Sequence, residues 1–512
     1  MAAACPLHPS WPENSEAVFR RAPKCPVQGR LGPGGEAWRG RAPPKNNLKD
    51  DAMSLTSSFS STGAVLLAAG KGTRMHSATP KVLQRILEEP MLRYVYDALG
   101  DVCGGGIFTV IGHGADAVRA AFPGMAAGFV TQEKQLGTGH ALQCAWPGVL
   151  SAGLDYVLVI NGDTPLVRTG TLRHFLEEST ARQADLAFIT LSLPDSGAFG
   201  RVLRKYGRVS AIVEAKDYDE GLHGPDPCEI NAGIYCLKVS TLDGLLPLLE
   251  CGNKSGEYYI TDLVGLAVER NLKVLGLNMG DDPDLLGINT PAELVRAEER
   301  MRERIVLAHQ NAGAIIRADR GVRIGPDVRV APGAEITGPC ELYGHTRIEA
   351  DARVDSHCRI SGTHIGQGTV LRSFCHVEKA EIGPLCTVGP YARLRPGAIL
   401  EEGAHVGNFV EMKKARLGKG AKAGHLSYLG DAEIGAGANI GAGTITCNFD
   451  GKNKHLTRIG EQAFIGSNTA LVAPVCVDKG ALVGAGSVIT KDVPEGHLGI
   501  TRAPQQNIKR RK

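Results

Sequence analysis

The chain has 512 residues, of which 43% are hydrophobic and 22% charged, with a formal net charge of +3. It is globular, has room for more than one core, and lacks the bulk charge that points to nucleic acid or an acidic surface. No apolar run approaches the ~20 residues that span a bilayer, and the amino end lacks the apolar core of a secretory signal, so we expect a cytoplasmic chain without an integral membrane segment. Thirteen cysteines are scattered without a Cys-x-x-Cys pair, which predicts reduced thiols rather than a disulfide framework or zinc cluster.

Residues 1–52 carry eight prolines and several arginines with no period of 2 or 3.6. A segment without an apolar face is expected to be disordered. Glu13, Glu16 and Glu36 argue against an amphipathic transit peptide, and Met53 is the expected physiological start, which N-terminal sequencing of the natural protein would check. From residue 64, short apolar strands at 64–69, 107–111, 128–131, 156–160, 186–193 and 229–237 alternate with helical stretches. This predicts a mainly parallel α/β sheet covered on both faces, a Rossmann-like nucleotide-binding unit over residues 53–289. A charged helix over 291–309, capped by Thr290 with Pro291 at its first turn, is expected to form a linker over 290–312.

The first strand runs into Leu67-Ala68-Ala69-Gly70-Lys71-Gly72-Thr73-Arg74-Met75, followed by Pro80-Lys81-Val82. Glycines at a strand's carboxyl end let backbone N–H groups approach a phosphate, and Arg74 and Lys81 add positive charge. The third glycine of the dinucleotide fingerprint and the Gly-Lys-Ser/Thr of the P-loop are both absent. Downstream, Gln132, Gly137 and Thr138 offer an amide and backbone groups suited to a uracil edge, which needs a donor and an acceptor rather than charge. Asn161-Gly162-Asp163 ends the strongest strand, where a carboxylate can hold Mg²⁺ beside the phosphate turn. These motifs resemble the sugar-1-phosphate nucleotidyltransferase family. The resemblance implies that Leu67, Ala68, Ala69 and Gly70 line the nucleotide, that Asn289 is a second metal ligand with Asp163, and that Gly200, Glu214 and Asn231 surround the sugar.

From Ile324 to Ile489 an aliphatic residue recurs every five or six positions, as in Ile324, Val330, Ile336, Leu342 and Ile348, usually followed by a small or polar residue. One strand plus one turn per repeat and three repeats per turn predict a triangular coil with the aliphatic residues stacked inward. This is similar to the left-handed parallel β-helix of hexapeptide-repeat proteins, expected over 313–512. Four stretches break the pattern, at 393–398, 405–418, 423–435 and 439–451, the last opening an excursion over 447–458. Loops thrown out of a rigid scaffold are where function lies.

With the first unit, these stretches resemble the family of bifunctional N-acetylglucosamine-1-phosphate uridyltransferases and glucosamine-1-phosphate acetyltransferases over residues 63–502. The resemblance implies a homotrimer that uses UTP, glucosamine 1-phosphate, N-acetylglucosamine 1-phosphate and acetyl-CoA. It makes His425 the general base, a role imidazole can fill near neutral pH. Glu411 is assigned either to orient His425 or to contact the sugar. Arg395 and Lys413 are assigned to the sugar phosphate, Tyr428 and Asn439 to its hydroxyls, and Ala442, Asn448, Phe449, Ser467, Ala485 and Arg502 to acetyl-CoA.

Two other readings compete. A single-activity sugar-1-phosphate nucleotidyltransferase with a regulatory β-helix predicts a featureless coil, yet His425, Lys413 and Arg395 are there. A non-catalytic assembly subunit predicts eroded phosphate residues, yet Arg74, Lys81 and Asp163 are intact. The basic end, Lys509 to Lys512, is expected to be a solvated tail.

Overall fold

The computed structural model describes residues 59–508 and 510. The expected extension over 1–52, the start at Met53 and all but Arg510 of the basic tail lie outside the described residues. The chain divides into two compact units between Ile305 and Val306, inside the helix Pro291–Asn311.

The first unit is built on a nine-stranded sheet. Its strands are β1 (Thr62–Ala68), β2 (Ile107–Ile111), β3 (Phe129–Thr131), β4 (Tyr156–Asn161), β5 (Leu186–Ser192), β6 (Arg201–Lys205), β7 (Arg208–Val213), β8 (Glu229–Lys238) and β9 (Val274–Asn278). The order is β9-β5-β8-β4-β1-β2-β3, with the β6–β7 hairpin attached to β8. Along β1, Ala64, Leu66 and Ala68 enter one core, while Val65 and its neighbour Ala69 enter another. Leu158 and Ile160 of β4 divide from Val157 and Val159 in the same way. A period of two with both sets buried means helices cover both faces, as the unbroken apolar runs predict.

The sheet departs from the expected parallel arrangement at β8, which runs antiparallel to both β4 and β5. Parallel neighbours need a crossover of a dozen or more residues, usually helical. Between β5 and β8 the chain instead forms the β6–β7 hairpin and one four-residue helical turn, Glu220–His223. The hairpin turns at Tyr206-Gly207, and its charged strands lack the apolar run that marks the other strands.

The second unit contains three parallel ladders, one per side of a left-handed β-helix. One ladder runs Ile324, Leu342, Ile360, Val377, Leu394, Met412, Leu429. Every aliphatic residue of the period is buried, the most exposed in these ladders being Ile316 and Val330 at 9% and 8%. Each such side chain contributes ~1.5 to 3 kcal/mol by leaving water. Where the aliphatic series skips, smaller residues fill the inward positions. Ala423 and Thr446 are 0% and 1% exposed, and Thr446 tolerates burial because its hydroxyl donates to the Gly430 carbonyl at 2.9 Å and accepts from the Gly430 N–H at 2.7 Å. His357, Phe374, Tyr391 and Phe409 stack one above another at a corner, with ring centroids 4.7 to 5.2 Å apart, which ties successive coils together.

The helix Pro291–Asn311 begins with the Thr290 hydroxyl accepting from the Glu293 N–H at 3.3 Å and the Glu293 carboxylate accepting from the Thr290 N–H at 3.2 Å. This reciprocal cap explains why the helix starts where the Thr-Pro pair predicts. Among the described residues no helix is long and apolar enough to cross a membrane, and none of the eleven described cysteines forms a disulfide.

Candidate functional site

In the first unit, β1 and β4 are adjacent and parallel, so their carboxyl ends open side by side. The loop after β1 bends at Gly72, whose φ of +59° disfavours a side chain, and a Cβ there would sit 2.6 Å from the Lys81 Cβ. The bend carries Arg74 and Lys81 to the mouth of β4, where Asp163 follows. Leu67, Ala68, Ala69, Gly70, Arg74, Lys81, Gln132, Gly137, Thr138, Asn161, Asp163 and Asn289 line one cavity of about 710 Å³. Gly162 does not line it; its N–H is spent on the Leu67 carbonyl at 2.8 Å, and a side chain there would press on Leu92 and Val82.

The charged centre is tightly connected. Asn289 Oδ1 accepts from Arg74 at 2.7 Å and from Lys81 at 2.8 Å, and the Lys81 ammonium also pairs with Asp163 Oδ2. Asp163 Oδ1 is buried without a hydrogen-bond partner, a costly state for a carboxylate oxygen. A hard divalent cation taking oxygen donors fits the Asp163 and Asn289 pair. The two cations beside them suit a polyphosphate. On the opposite wall the Gln132 amide nitrogen donates to the Gly137 carbonyl at 3.0 Å and meets His140 Nδ1 at 2.9 Å. It is engaged within the chain rather than wholly free for a base. Gly137 has a φ of +108° and lies too close to the Tyr258 backbone for any side chain.

Gly200, Glu214 and Asn231 lie outside the lining but form one cluster behind Asn161. The Asn231 N–H donates to the Gly200 carbonyl at 2.9 Å, its side chain meets the Tyr235 hydroxyl at 2.6 Å, and a side chain on Gly200 would sit 3.5 Å from both Glu214 oxygens. The register shift between Asn231 and Tyr235 folds β8 so that Gly233 lies against Asn161, a bulge aiming polar groups at the sheet end. Burial pushes the Glu214 carboxyl above its ordinary range, opposed by the Thr261 hydroxyl, and burial with the nearby Asp217 raises Asp262 to about 6. Tyr235 and Thr261 join this cluster, and Lys71 and Glu257 line the cavity, without having been singled out; only Lys71, inside the glycine loop, carried a signal.

In the second unit, the coil length sets what stacks on what. Asn408 pairs with His425, and two residues beyond the Ala423–Ile440, Ile440–Ile465 and Ile465–Val483 pairs come His425, Ala442, Ser467 and Ala485. His425 and three of the assigned acetyl-CoA positions thus share one edge, where Arg502 donates to the Ala485 carbonyl at 2.7 Å. His425 Nδ1 lies 2.5 Å from Asn408 Oδ1. With an amide oxygen as acceptor, Nδ1 carries the proton and Nε2 keeps its lone pair.

Glu411 has two expected roles; its carboxylate accepts from Arg395 at 2.9 Å, and it is Asn408 that meets His425. Around the corner from His425, Tyr428 starts the next side, and its hydroxyl lies 2.5 Å from where a Gly430 side chain would begin, beside Lys413 in the ladder. Lys454, then Arg395, depress the Lys413 ammonium's pKa, which marks three cations gathered at one place. Lys454 was missed because it lies in the excursion, where the period gives no guidance.

The excursion is itself ordered. Phe449 and Lys454 bridge antiparallel, and the Asp450 carboxylate accepts from the N–H groups of Lys452 at 2.8 Å and Asn453 at 2.6 Å and pairs with His455 at 2.7 Å. Asn448 pairs with Asp431. Asn439 stands apart: it lies opposite Lys422, three residues or about 10 Å along the strand from the His425 position.

Residues 64–208 match the family model of the MobA-like NTP transferase domain. The Bifunctional protein GlmU of Nitratidesulfovibrio vulgaris is 63% identical over 452 residues, covering 88% of this chain and 99% of that protein. The proteins of the same name from Oleidesulfovibrio alaskensis and Lawsonia intracellularis are 61% and 45% identical, covering 99% and 98% of their own lengths. Identity that runs through both the phosphate-loop unit and the coil carrying His425 places this chain in the bifunctional GlmU family.

Proposed function

We propose that the two sites catalyse successive steps: acetyl transfer from acetyl-CoA to glucosamine 1-phosphate at the β-helix, then uridylyl transfer from UTP to N-acetylglucosamine 1-phosphate at the sheet. The carrying observation is the pairing, in one chain, of a cation-lined cavity ending on Asp163 with a corner histidine whose Nε2 is left basic by Asn408. Both belong to the same family assignment.

At the first site, Arg74 and Lys81 bind phosphate oxygens and bring the sugar phosphate oxygen in line with the α-phosphorus of UTP, so that pyrophosphate leaves. Asp163 and Asn289 are the residues to hold Mg²⁺, which when bound supplies charge neutralisation at the transferring phosphoryl group. The buried Asp163 Oδ1 supports this assignment. The Glu214, Asn231 and Gly200 cluster receives the sugar, and its amide and carboxyl groups suit an acetamido substituent. At the second site, Arg395, Lys413 and Lys454 bind the sugar phosphate, and His425 Nε2 takes a proton from the amino group as it attacks the thioester. Coenzyme A then leaves along the edge of Ala442, Ser467 and Ala485.

The chain is proposed to work in the cytoplasm as a homotrimer. The distance of Asn439 from His425 within one chain supports a site to which a neighbouring copy contributes. Sedimentation equilibrium is expected to give three chains per particle, and a fully active monomer would overturn the assembly. EDTA is expected to stop uridylyl transfer and spare acetyl transfer, for which the chain's own base and cations fill the assigned roles. Acetyl transfer that falls with chelation and returns with Mg²⁺ would refute this division.

A further inference from the structure

We propose that Glu293 is a positioning residue for uridylyl transfer, holding Asn289 where it can serve the metal and the two phosphate cations. The inference rests on the proposed role of Asn289. In an ordinary capping box the acidic side chain of the first helical turn accepts from the N–H of the cap residue. Here the shorter bond goes elsewhere: Glu293 Oε2 is 2.6 Å from the Asn289 N–H and 3.2 Å from the Thr290 N–H. The carboxylate therefore grips the residue before the cap, the one whose side chain faces Arg74 and Lys81.

The rest of Asn289 is equally fixed. Its Nδ2 donates to the Gly287 carbonyl at 3.1 Å, so Oδ1 points at Arg74 and Lys81. The adjoining Ile288 N–H donates to the Asp163 carbonyl at 2.9 Å, and Gly287 lies so close that a side chain there would start 3.0 Å from Asp163 Oδ1. The segment 287–289 thus lies directly against Asp163. Glu293 is its anchor to the helix, and the favourable end of the helix dipole stabilises the charge that makes the grip. Loss of the carboxylate frees two backbone N–H groups and lets the segment shift relative to Asp163.

The test uses the full chain and two readouts, binding of Mn²⁺ in the presence of UTP, followed by the electron paramagnetic resonance of the free ion, and the Mg²⁺ concentration for half-maximal uridylyl transfer. Outer partners of metal ligands typically change affinity ~10- to 100-fold, and Glu293→Ala is expected to weaken Mn²⁺ binding and raise the Mg²⁺ requirement within that range. Glu293→Gln, which keeps an acceptor oxygen, should restore most of both. Thr290→Ala removes the other half of the cap and is expected to lower the melting temperature without moving either readout. If Glu293→Ala only lowers the melting temperature, as Thr290→Ala does, the residue is a helix cap and the inference fails. Should Glu293→Ala prove unfolded, Glu293→Asp, whose shorter side chain draws the acceptor back from the Asn289 N–H, takes its place: weakened Mn²⁺ binding supports positioning, and unchanged binding overturns it. Asn289→Ala separates the two levels: unchanged Mn²⁺ binding there removes the metal role of Asn289 and this inference with it, whereas weakened binding there with none in Glu293→Ala rejects Glu293 alone.

Discussion

Asp163→Ala is expected to lower uridylyl transfer by at least ~10²-fold while leaving acetyl transfer at its normal rate. The reasoning begins with the unpartnered Oδ1 and with the pairing of Oδ2 to Lys81. Removing the carboxylate leaves the Lys81 ammonium, only 12% exposed, without its anionic partner, and takes away the acidic donor beside Asn289 at the mouth of β4. Electrostatic groups of this kind are worth ~10² to 10³ in rate when deleted singly. Acetyl transfer is spared because none of its assigned residues lies in the first unit. Asp163→Asn is a useful companion, since it keeps the shape and an oxygen donor but not the charge. A folded Asp163→Ala protein that keeps uridylyl transfer within a few-fold of normal, or loses both activities together, would defeat the assignment.

How much of this could be read from the sequence depends on whether the signal is local. The buried aliphatic series from Ile324 to Ile489 is a period, and the phosphate loop is a contiguous motif after an apolar strand, so both were legible. The antiparallel course of β8 was not, because strand direction is set by the intervening hairpin rather than by anything within Glu229–Lys238. The cluster of Gly200, Glu214 and Asn231 joins three segments through backbone contacts. Composition and spacing do not reveal such contacts, and only the family resemblance pointed there.

The β-helix shows both the reach and the limit of counting. A coil advances 17 residues from Leu417 to Ile434, and the same step leads back from His425 to Asn408; the partner of the base was therefore within reach of arithmetic. The resemblance points to Glu411 instead, either to orient His425 or to contact the sugar, and does not draw on the coil count. The step from Ile434 to Ile459 is 25 residues, and inside that longer coil the count fails. Lys454 is brought to Lys413 by the Phe449–Lys454 bridge and the Asp450 buckle, which depend on turn chemistry rather than on period.

His425→Ala is expected to reduce acetyl transfer by ~10² to 10⁴, the span for loss of a general base, with uridylyl transfer unchanged and the Michaelis constant for acetyl-CoA nearly so. The edge of Ala442, Ser467 and Ala485, proposed to hold acetyl-CoA, stays intact in this variant, which is why binding should survive while turnover does not. Asn408→Ala tests the same chemistry one step back. Its amide oxygen fixes the proton on Nδ1, and without it the ring can present either nitrogen to the substrate, so a smaller loss of turnover is expected, again at unchanged binding. In the double variant the losses should not add, because Asn408 acts only through His425. A fully additive double variant would show that Asn408 serves some other purpose, and a His425→Ala protein that still turns over at a comparable rate at neutral pH would remove the imidazole from the mechanism.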